Sequence, residues 1–388
     1  MIRYLTAGES HGKCLIGILD GFPAGLTISE DDIVHDLRRR QLGYGRGERM
    51  SIESDHAQIL SGVRHGITLG SPIALLIENK DWPSWRDRMA IGVPESETDT
   101  EELTAPRPGH ADYAGAIKYH HRDIRNVIER SSARETAMRV ALAAVCRKFI
   151  AEFSIAVGSH VVRIANVTSN SDTSTLQADE INRRADASPV RTLDREAERA
   201  TMAAIDEAGK RGDTVGGIFE VIATGVPVGL GSYVQQDRRL DAVLAQAMMS
   251  IPAVKSVEAG LGMDAATRFG SEVHDEMFPV DSDAITRKTN RAGGIEGGIS
   301  NGEPIVLRVA MKPLPTLGRP LKTVDLATGE PTTALRERSD TCAVPAAAVI
   351  GEAMLLLALM NPFLVKFGGD SLTEIRRHFD AKPDSPWA

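Results

Sequence analysis

Aromatic residues are scarce in this chain: phenylalanine, tyrosine and tryptophan make up only 4% of its 388 residues. The hydrophobic share of 42% is nevertheless ordinary for a soluble globular protein, so we expect a large core built mainly from aliphatic side chains. The length allows two or three domains or one large one. Because no clean linker or short repeat is visible, we expect a single α+β domain over residues 1–388, with the last ~20 residues as a flexible tail.

Cysteines are also few, and the three present, Cys14, Cys146 and Cys342, lie far apart. The absence of a CxxC spacing argues against a disulfide framework and fits a reducing cytoplasm. The opening residues, MIRYLTAGESHGK, contain no apolar signal region. The most apolar run, residues 344–360, is interrupted by Glu352 and is short for a membrane span, so we interpret it as a buried helix. These features predict a cytoplasmic protein without a membrane partner.

Excess positive charge is absent as well, since the formal net charge is −8. This balance argues against general nucleic-acid binding. Arginine is nonetheless concentrated in two segments, residues 36–50 and 122–139. Local arginine clusters in an acidic protein indicate a pocket for a small anion, although for any single arginine a surface ion pair is the favoured explanation.

Two common nucleotide-binding motifs are missing. GESHGK, residues 8–13, is not a P-loop, because three residues separate its glycines and Cys14 follows Lys13. No GxGxxG follows a clear strand either. What remains is Ser10 and His11 in a glycine-flanked turn, where His11 is able to give a proton to a ligand. Taken in isolation, however, the segment favours a plain polar turn with a solvated histidine.

A second histidine-bearing stretch is RPGHADYAGAIKYHH, residues 107–121. His110 and Asp112 have the His-x-Asp spacing of a metal site. His120 and His121 are adjacent and cannot share a helix face, and no other ligand cluster appears, so we expect no metal. His110, beside Arg107, is better interpreted as an acid–base group.

The clearest helix signal begins at SSARE. Ser132 and Glu135 have capping-box spacing, and an apolar face follows through residue 153. The free N–H groups at such a start, flanked by Arg130 and Arg134, form an anion site. A well-capped helix with surface arginines is the alternative.

The remaining periodicity predicts a mixed architecture. Helices are expected over 29–41, within 170–212 and over 238–252, strands over 13–23, 67–79, 216–231 and 303–315, and loops over 80–110 and 293–302. Asp340, just before the apolar run, either caps that helix or is a charge that needs a partner on burial.

Several stretches in a fixed order resemble one family, chorismate synthase. They are GESHGKCLIGILDGFPAG, RRRQLGYGRGERM, RPGHADYAGAIKY, RSSARETAMRVA, GGIEGGISNGEPI, KPLPT and RSDTCAVPAAAVI, and the resemblance runs to about residue 368. It implies a shikimate-pathway lyase that converts 5-enolpyruvylshikimate 3-phosphate to chorismate and phosphate by a 1,4-anti elimination that requires reduced FMN. It also implies a β-α-β sandwich with helices between two antiparallel sheets, and a homotetramer.

The resemblance assigns roles to individual residues. His11 is expected to protonate the leaving phosphate, His110 to lie near flavin N1, and Asp340 to help remove the C6 proton through flavin N5. The substrate-binding set is expected to be Ser10, Arg40, Arg46, Arg49, Arg107, Ser132, Arg134 and Arg338. The flavin-binding set is expected to be Arg130, Ser131, Ser132, Pro252, Ala253, Gly297, Lys312, Pro313, Leu314, Pro315, Thr316 and Arg338.

One stretch departs from the family pattern. The family often reads SINAVKG where this chain reads SIPAVKS, residues 250–256. Pro252 has no N–H group, so flavin contacts there are expected from carbonyls, from Ala253 or from packing.

Two rival functions follow from the same residues. One is a flavin oxidoreductase that uses NADPH directly, with Arg40 and Arg46 holding a nucleotide phosphate. Without a dinucleotide motif, we expect instead that NADPH acts only indirectly, through an external flavin reductase. The other rival is a non-catalytic anion-binding protein, which would need neither His110 nor Asp340.

Overall fold

Helices and antiparallel sheets make up the fold in the computed structural model, which describes residues 1–47, 54–93, 102–281, 284–337 and 339–381. The helices, α1 to α11, are Glu30–Gln41, Trp82–Trp85, Asp112–Tyr119, Arg125–Ser131, Thr136–Ala151, Ala178–Asp186, Arg195–Lys210, Leu240–Met249, Gly270–Val273, Val344–Phe367 and Leu372–Asp380. The strands, β1 to β17, are Arg3–Ala7, Cys14–Asp20, Ala57–Ser61, Val63–Arg64, Ile67–Thr68, Ile73–Glu78, Ala156–Ile164, Val167–Thr168, Gly217–Thr224, Val254–Ala259, Met277–Asp281, Ala284–Arg287, Ile295–Glu296, Ile299–Ser300, Ile305–Met311, Lys322–Val324 and Pro331–Thr333.

The first sheet has the strand order β1-β2-β6-β3 and carries the N-terminal segment of the site. Alternation along β2 buries Leu15 and Leu19, as expected for a sheet covered on one face. Helices α1 and α5 pack on this sheet. A Cβ at Gly17 would lie 2.5 Å from Sδ of Met138 on α5, so glycine permits the close helix–sheet contact.

The second sheet has the order β10-β15-β9-β7-β8. Helix α10 packs on β7 and β9, where Gly351 lies against Phe219 and Val221. Helix α6 also packs on β7, and a Cβ at Gly158 would come within 2.3 Å of the carbonyl oxygen of Ala178. Glycines therefore set the spacing between both helices and this sheet.

Helix α10 is the long apolar helix expected near the C-terminus. It is long and apolar enough to cross a membrane, but 72% of its most apolar window is buried inside the protein. The interpretation as a buried core helix is confirmed.

A buried ion network is centred on Glu352 of α10, whose side chain is fully buried. Arg39 donates to both carboxylate oxygens at 2.8 Å, and Arg147 Nη2 donates at 2.6 Å. Ser159 Oγ donates at 2.5 Å. Burial raises the pKa of Glu352, but the charges of Arg39 and Arg147 outweigh it and lower the pKa to about 2. Further members of the network are Asp36, Asn182, Asp186 and Arg191.

Most sequence-predicted elements occur where they were expected. Ser29 caps α1 in a reciprocal capping box with Asp32, and two strands, β5 and β6, occupy residues 67–78. The start of α5 differs: Ser132 instead caps a 3₁₀ turn, Ala133–Glu135, and accepts from the N–H of Arg134. The glycine-rich stretch 293–302 contains the short hairpin β13–β14 rather than loop alone.

The C-terminal segment up to Ala381 also differs from the expected flexible tail, of which residues 382–388 lie outside the described residues. Residues Leu372–Asp380 form α11, which buries Ile375 completely. Phe379 joins an aromatic cluster with Phe153, Phe363 and Phe367, at ring-centroid distances of 4.9–6.1 Å from Phe379. Apolar side chains at helical spacing thus anchor this segment to α10.

Candidate active site

A cavity of about 790 Å³ brings together segments that are distant in the sequence. The predicted site residues that line it are Ser10, His11, Arg40, Arg46, Arg107, His110, Ser131, Ser132, Arg134, Pro252, Ala253, Lys312, Leu314, Pro315, Thr316 and Asp340. Arg130, Gly297 and Pro313 are not among its lining residues. The guanidinium of Arg130 instead donates to the carbonyls of Thr6 and Gly8. Arg49 and Arg338 lie outside the described residues.

The GESHGK segment forms the turn between β1 and β2. Gly8 has a φ of +109°, and a Cβ there would lie 2.3 Å from the carbonyl oxygen of Cys14, so the turn requires glycine. The N–H of Ser10 donates to the carbonyl of Glu129 at 2.9 Å. His11 is buried, and its Nδ1 lies 3.0 Å from Oε1 of Glu129. The turn therefore presents an oriented imidazole rather than a solvated one.

His110 is held in a second histidine–carboxylate contact. Its Nδ1 lies 2.5 Å from Oδ1 of Asp112. Arg107 donates to Asp112 from its backbone N–H, Nε and Nη2, and its Nη1 donates to Thr316 Oγ1 at 2.9 Å. Burial raises the pKa of Asp112, but His110 and Arg107 outweigh it and hold the pKa well below its usual range. Asp112 is thus an ionised partner of both side chains.

The metal interpretation of His110 and Asp112 gains no further ligands. Within the part of the chain that the structure describes, no group of three or more His, Cys, Asp or Glu side chains is arranged to hold a metal ion.

Arg40 and Arg134 lie side by side, both buried, with fixed guanidinium groups. Arg134 donates to Asp55 at 2.5 Å and to Asn79 at 2.9 Å. Arg40 donates to Thr136 Oγ1 and to a backbone carbonyl. Burial lowers the pKa of Arg40 to about 10, and the neighbouring Arg46 and Arg134 charges act in the same direction. This crowding of cations favours an anionic ligand.

Asp340 has a partner, as its place beside the apolar helix required. Arg46 Nη1 lies 2.8 Å from Oδ2 of Asp340, and the N–H of Gly47 donates to Oδ1 at 2.7 Å. Asp340 does not cap α10, because the residue at the cap position is Ala343 and makes no side-chain cap bond.

Three residues around His11 were not predicted from the sequence. Trp85 of α2 stacks on His11, with ring centroids 3.9 Å apart and an interplanar angle of 20°. The guanidinium of Arg125 lies 5.1 Å from the Trp85 ring centroid. Glu129 holds His11, as described above. The i,i+4 spacing of Arg125 and Glu129 predicts that these two side chains pair on one helix face, but nothing in the local sequence connects either residue to His11.

One side of the cavity is apolar and borders a lysine. Ile251, Met311 and Ile350 are among the apolar lining residues. Lys312 Nζ donates to the carbonyl of Gly109. Burial lowers the pKa of Lys312, and the nearby Lys255 charge adds to the effect.

Oriented imidazoles, fixed guanidinium groups and the partly buried carboxylate of Asp340 on one cavity define an enzyme that acts on a small anionic molecule. A family model described as chorismate synthase matches residues 2–364. The chain is 56% identical over 388 residues to a protein from Geobacter sulfurreducens named chorismate synthase, with 98% of both chains covered. It is 53% identical over 385 residues to one of the same name from Aquifex aeolicus, covering 98% of this chain and 96% of the relative.

A solved structure gives the same result. A crystal structure described as that of chorismate synthase is similar with a TM-score of 0.79 and 45% identity, covering 98% of this chain and 96% of that one. The chain belongs to the chorismate synthase family. It is a lyase that converts 5-enolpyruvylshikimate 3-phosphate to chorismate and phosphate in aromatic biosynthesis.

Proposed function

We propose that the 790 Å³ cavity is the active site and binds the substrate phosphate ester beside reduced FMN. The observation that carries this proposal is the convergence of four arginines, Arg40, Arg46, Arg107 and Arg134, on the cavity that also contains His11 and Asp340. The substrate has one phosphate and two carboxylates, and guanidinium groups bind such groups bidentately. Arg49 and Arg338 stay predicted substrate ligands outside the described residues.

The two histidines and the aspartate are assigned distinct tasks. His11 donates a proton from Nε2 to the departing phosphate, because its Nδ1 is occupied by Glu129. Asp340 takes up the proton that the elimination releases, and Arg46 holds its carboxylate in place. His110, held by Asp112, would place a proton or a positive charge beside the reduced flavin ring. Ser10 and Ser132 add hydroxyl contacts to the substrate.

The residues on the apolar side fit reduced FMN. Ile251, Met311 and Ile350 provide an apolar surface for the flat flavin ring. The pKa of Lys312 is lowered by burial and by the nearby charge of Lys255, and a bound phosphate would compensate both effects. The other members of the expected flavin set that line the cavity are Ser131, Ser132, Pro252, Ala253 and Leu314–Thr316. The carbonyl of Ala253 already accepts from the N–H of Lys312. When bound, reduced FMN supplies electron density for the elimination without net redox change.

The proposal extends to the architecture, the cellular location and the assembly of the protein. Helices α1 and α5 contact the first sheet, α10 contacts the second, and α10 packs on both helices, an arrangement that supports a single-domain β-α-β sandwich. One core cluster extends from Ile2 to Ile375. We further propose a cytoplasmic homotetramer. We also propose that an external NADPH-dependent reductase supplies the reduced flavin, because the sequence has no GxGxxG dinucleotide motif after a strand.

The test is a reaction under anaerobic conditions. Pure protein is incubated with 5-enolpyruvylshikimate 3-phosphate and reduced FMN, and phosphate and chorismate are measured. We expect equal amounts of both, and a fall in kcat of about 10²-fold or more for His11→Ala, His110→Ala and Asp340→Asn. His56→Ala, an exposed histidine, is the matched control. Wild-type turnover in those three variants at saturating FMN would contradict the assigned roles, and aerobic NADPH consumption by the protein alone would favour the oxidoreductase.

A further inference from the structure

The loop that carries His11 is fixed by one residue of α4, Glu129. Its side chain is only 1% exposed. Oε2 accepts the backbone N–H of His11 at 2.8 Å, and the two carboxylate oxygens lie 3.0 and 3.1 Å from Nδ1 of the same residue. The Glu129 carbonyl also accepts the N–H of Ser10 at 2.9 Å. One residue thus fixes both the backbone of the turn and the plane of the imidazole.

The charge state of Glu129 decides which imidazole nitrogen carries a proton. Burial raises the pKa of Glu129, but its bonds to His11 and the charge of Arg125 outweigh burial and lower the pKa below its ordinary value. Arg125 Nη1 lies 3.3 Å from Oε1. An ionised carboxylate only accepts hydrogen bonds, so the proton in the Glu129–His11 contact belongs to Nδ1. Nε2 is then the nitrogen left to exchange a proton with a ligand.

We infer that Glu129 is a positioning residue for the proposed reaction: it keeps the Nδ1 proton in place, orients Nε2 toward the cavity and stabilises the positive ring. This inference rests on the function proposed for His11. The effect is electrostatic as well as geometric, because the buried anion faces the imidazolium that exists before proton transfer. Nothing in the sequence near either residue indicates the contact, since 118 positions separate them.

Trp85 gives this contact an optical signature. Its ring stacks on His11 at 3.9 Å, and a protonated imidazole in contact with indole quenches its fluorescence. The charged groups around this stack are Glu129, Arg125, Arg88, which lies 5.8 Å from the Trp85 ring centroid, and Asp81, whose Oδ2 accepts the Nε1–H of Trp85 at 3.2 Å. The chain has three tryptophans, so the Trp85→Phe variant identifies the Trp85 share of the signal.

The experiment compares Glu129→Gln with Glu135→Gln in the full-length protein. Glu135 lies six positions further on and pairs with Arg139, so it provides the same loss of charge without contact to His11. We expect Glu129→Gln to lower kcat by about 10²-fold, the lower bound for a general acid, with a much smaller change in KM. We also expect the Trp85-dependent fluorescence transition to move to lower pH by about one pH unit or more. Glu135→Gln should leave both measurements unchanged.

The two readouts separate the inference from the proposed function. If the wild-type protein makes no chorismate but Glu129→Gln still shifts the pH of the Trp85 fluorescence transition, the proposed function is wrong and the Glu129–His11 coupling is supported. Wild-type kcat and an unmoved transition in Glu129→Gln would overturn the inference, as would a wild-type Trp85 signal that does not respond to pH. If Glu129→Gln does not fold, Glu129→Asp retains the charge and should show smaller losses. A folded Glu129→Asp without any fluorescence transition would also overturn it.

Discussion

Replacement of Glu352 by glutamine should destabilise the protein strongly, although the two side chains have nearly the same shape. Glutamine removes the negative charge and points N–H donors at guanidinium groups that already donate. The network of Arg39, Arg147 and Arg191 with Asp36, Asp186 and Glu352 would change from balanced charge to one unpaired positive charge in the core. Removing one partner of a buried ion pair costs about 3–5 kcal/mol.

The pKa of Glu352 gives an independent magnitude. Its fall from 4.5 to about 2 corresponds to about 3 kcal/mol, at about 1.4 kcal/mol for each tenfold change in proton affinity. Both figures are a large part of the 5–15 kcal/mol that stabilises a typical domain. Because the carboxyl is a stronger acid in the folded protein, this contribution is complete above about pH 4.5 and is lost as the pH falls toward 2.

The assay is urea unfolding of both proteins at equal concentration between pH 7 and pH 3. Glu352→Gln should unfold at clearly lower urea at pH 7, and the difference from wild type should narrow below about pH 4.5. Glu180→Gln, whose ion pairs with Arg183 and Arg184 lie on the surface, is the control and should show no measurable change. Equal stability of Glu352→Gln and wild type at pH 7, or a difference at pH 3 as large as the one at pH 7, would refute this account of Glu352.

Two further predictions concern packing and the cofactor. Gly158→Ala should lower the unfolding temperature, because its Cβ would clash with the backbone of Ala178 at an overpacking cost of about 1–3 kcal/mol. Gly92→Ala is the control and should be neutral, since a Cβ at Gly92 would have no atom within 4 Å. Equal melting curves for Gly158→Ala and wild type would contradict the prediction. Lys312→Met should weaken FMN binding about tenfold or more, since a charge-assisted hydrogen bond contributes about 1.5–3 kcal/mol, whereas exposed Lys322→Met should not. Flavin fluorescence titration at low and high salt measures both, and an unchanged Kd in Lys312→Met would remove that residue from the cofactor site.

Local signals predicted the elements that local chemistry determines. Ser29 and Asp32 marked the start of α1, and the unbroken apolar run predicted the buried helix α10. Strand β7 was not predicted, because its residues are buried on both faces and lack a two-residue alternation. The start of α5 was misplaced, because the capping-box pattern does not distinguish a 3₁₀ turn from an α-helix.

The site was predictable only through long family-like motifs, and then only for residues within them. His11, His110 and Asp340 lie in such motifs and line one cavity. Trp85 and Glu129 contact His11 from segments far along the chain, where spacing carries no information. A contact of this kind depends on the tertiary fold, and a single sequence does not encode it in any local pattern.

The contacts that form this cavity connect residues very far apart along the chain. Glu129 lies 118 positions from His11, Thr316 lies 209 positions from Arg107, and Asp340 lies 293 positions from Gly47. Closing a loop costs entropy that increases with its length, so we expect these contacts to form only together with the rest of the fold. Enzymatic activity in this chain should therefore also report the integrity of the whole fold, and no fragment ending before residue 340 has the complete set of catalytic residues that we propose.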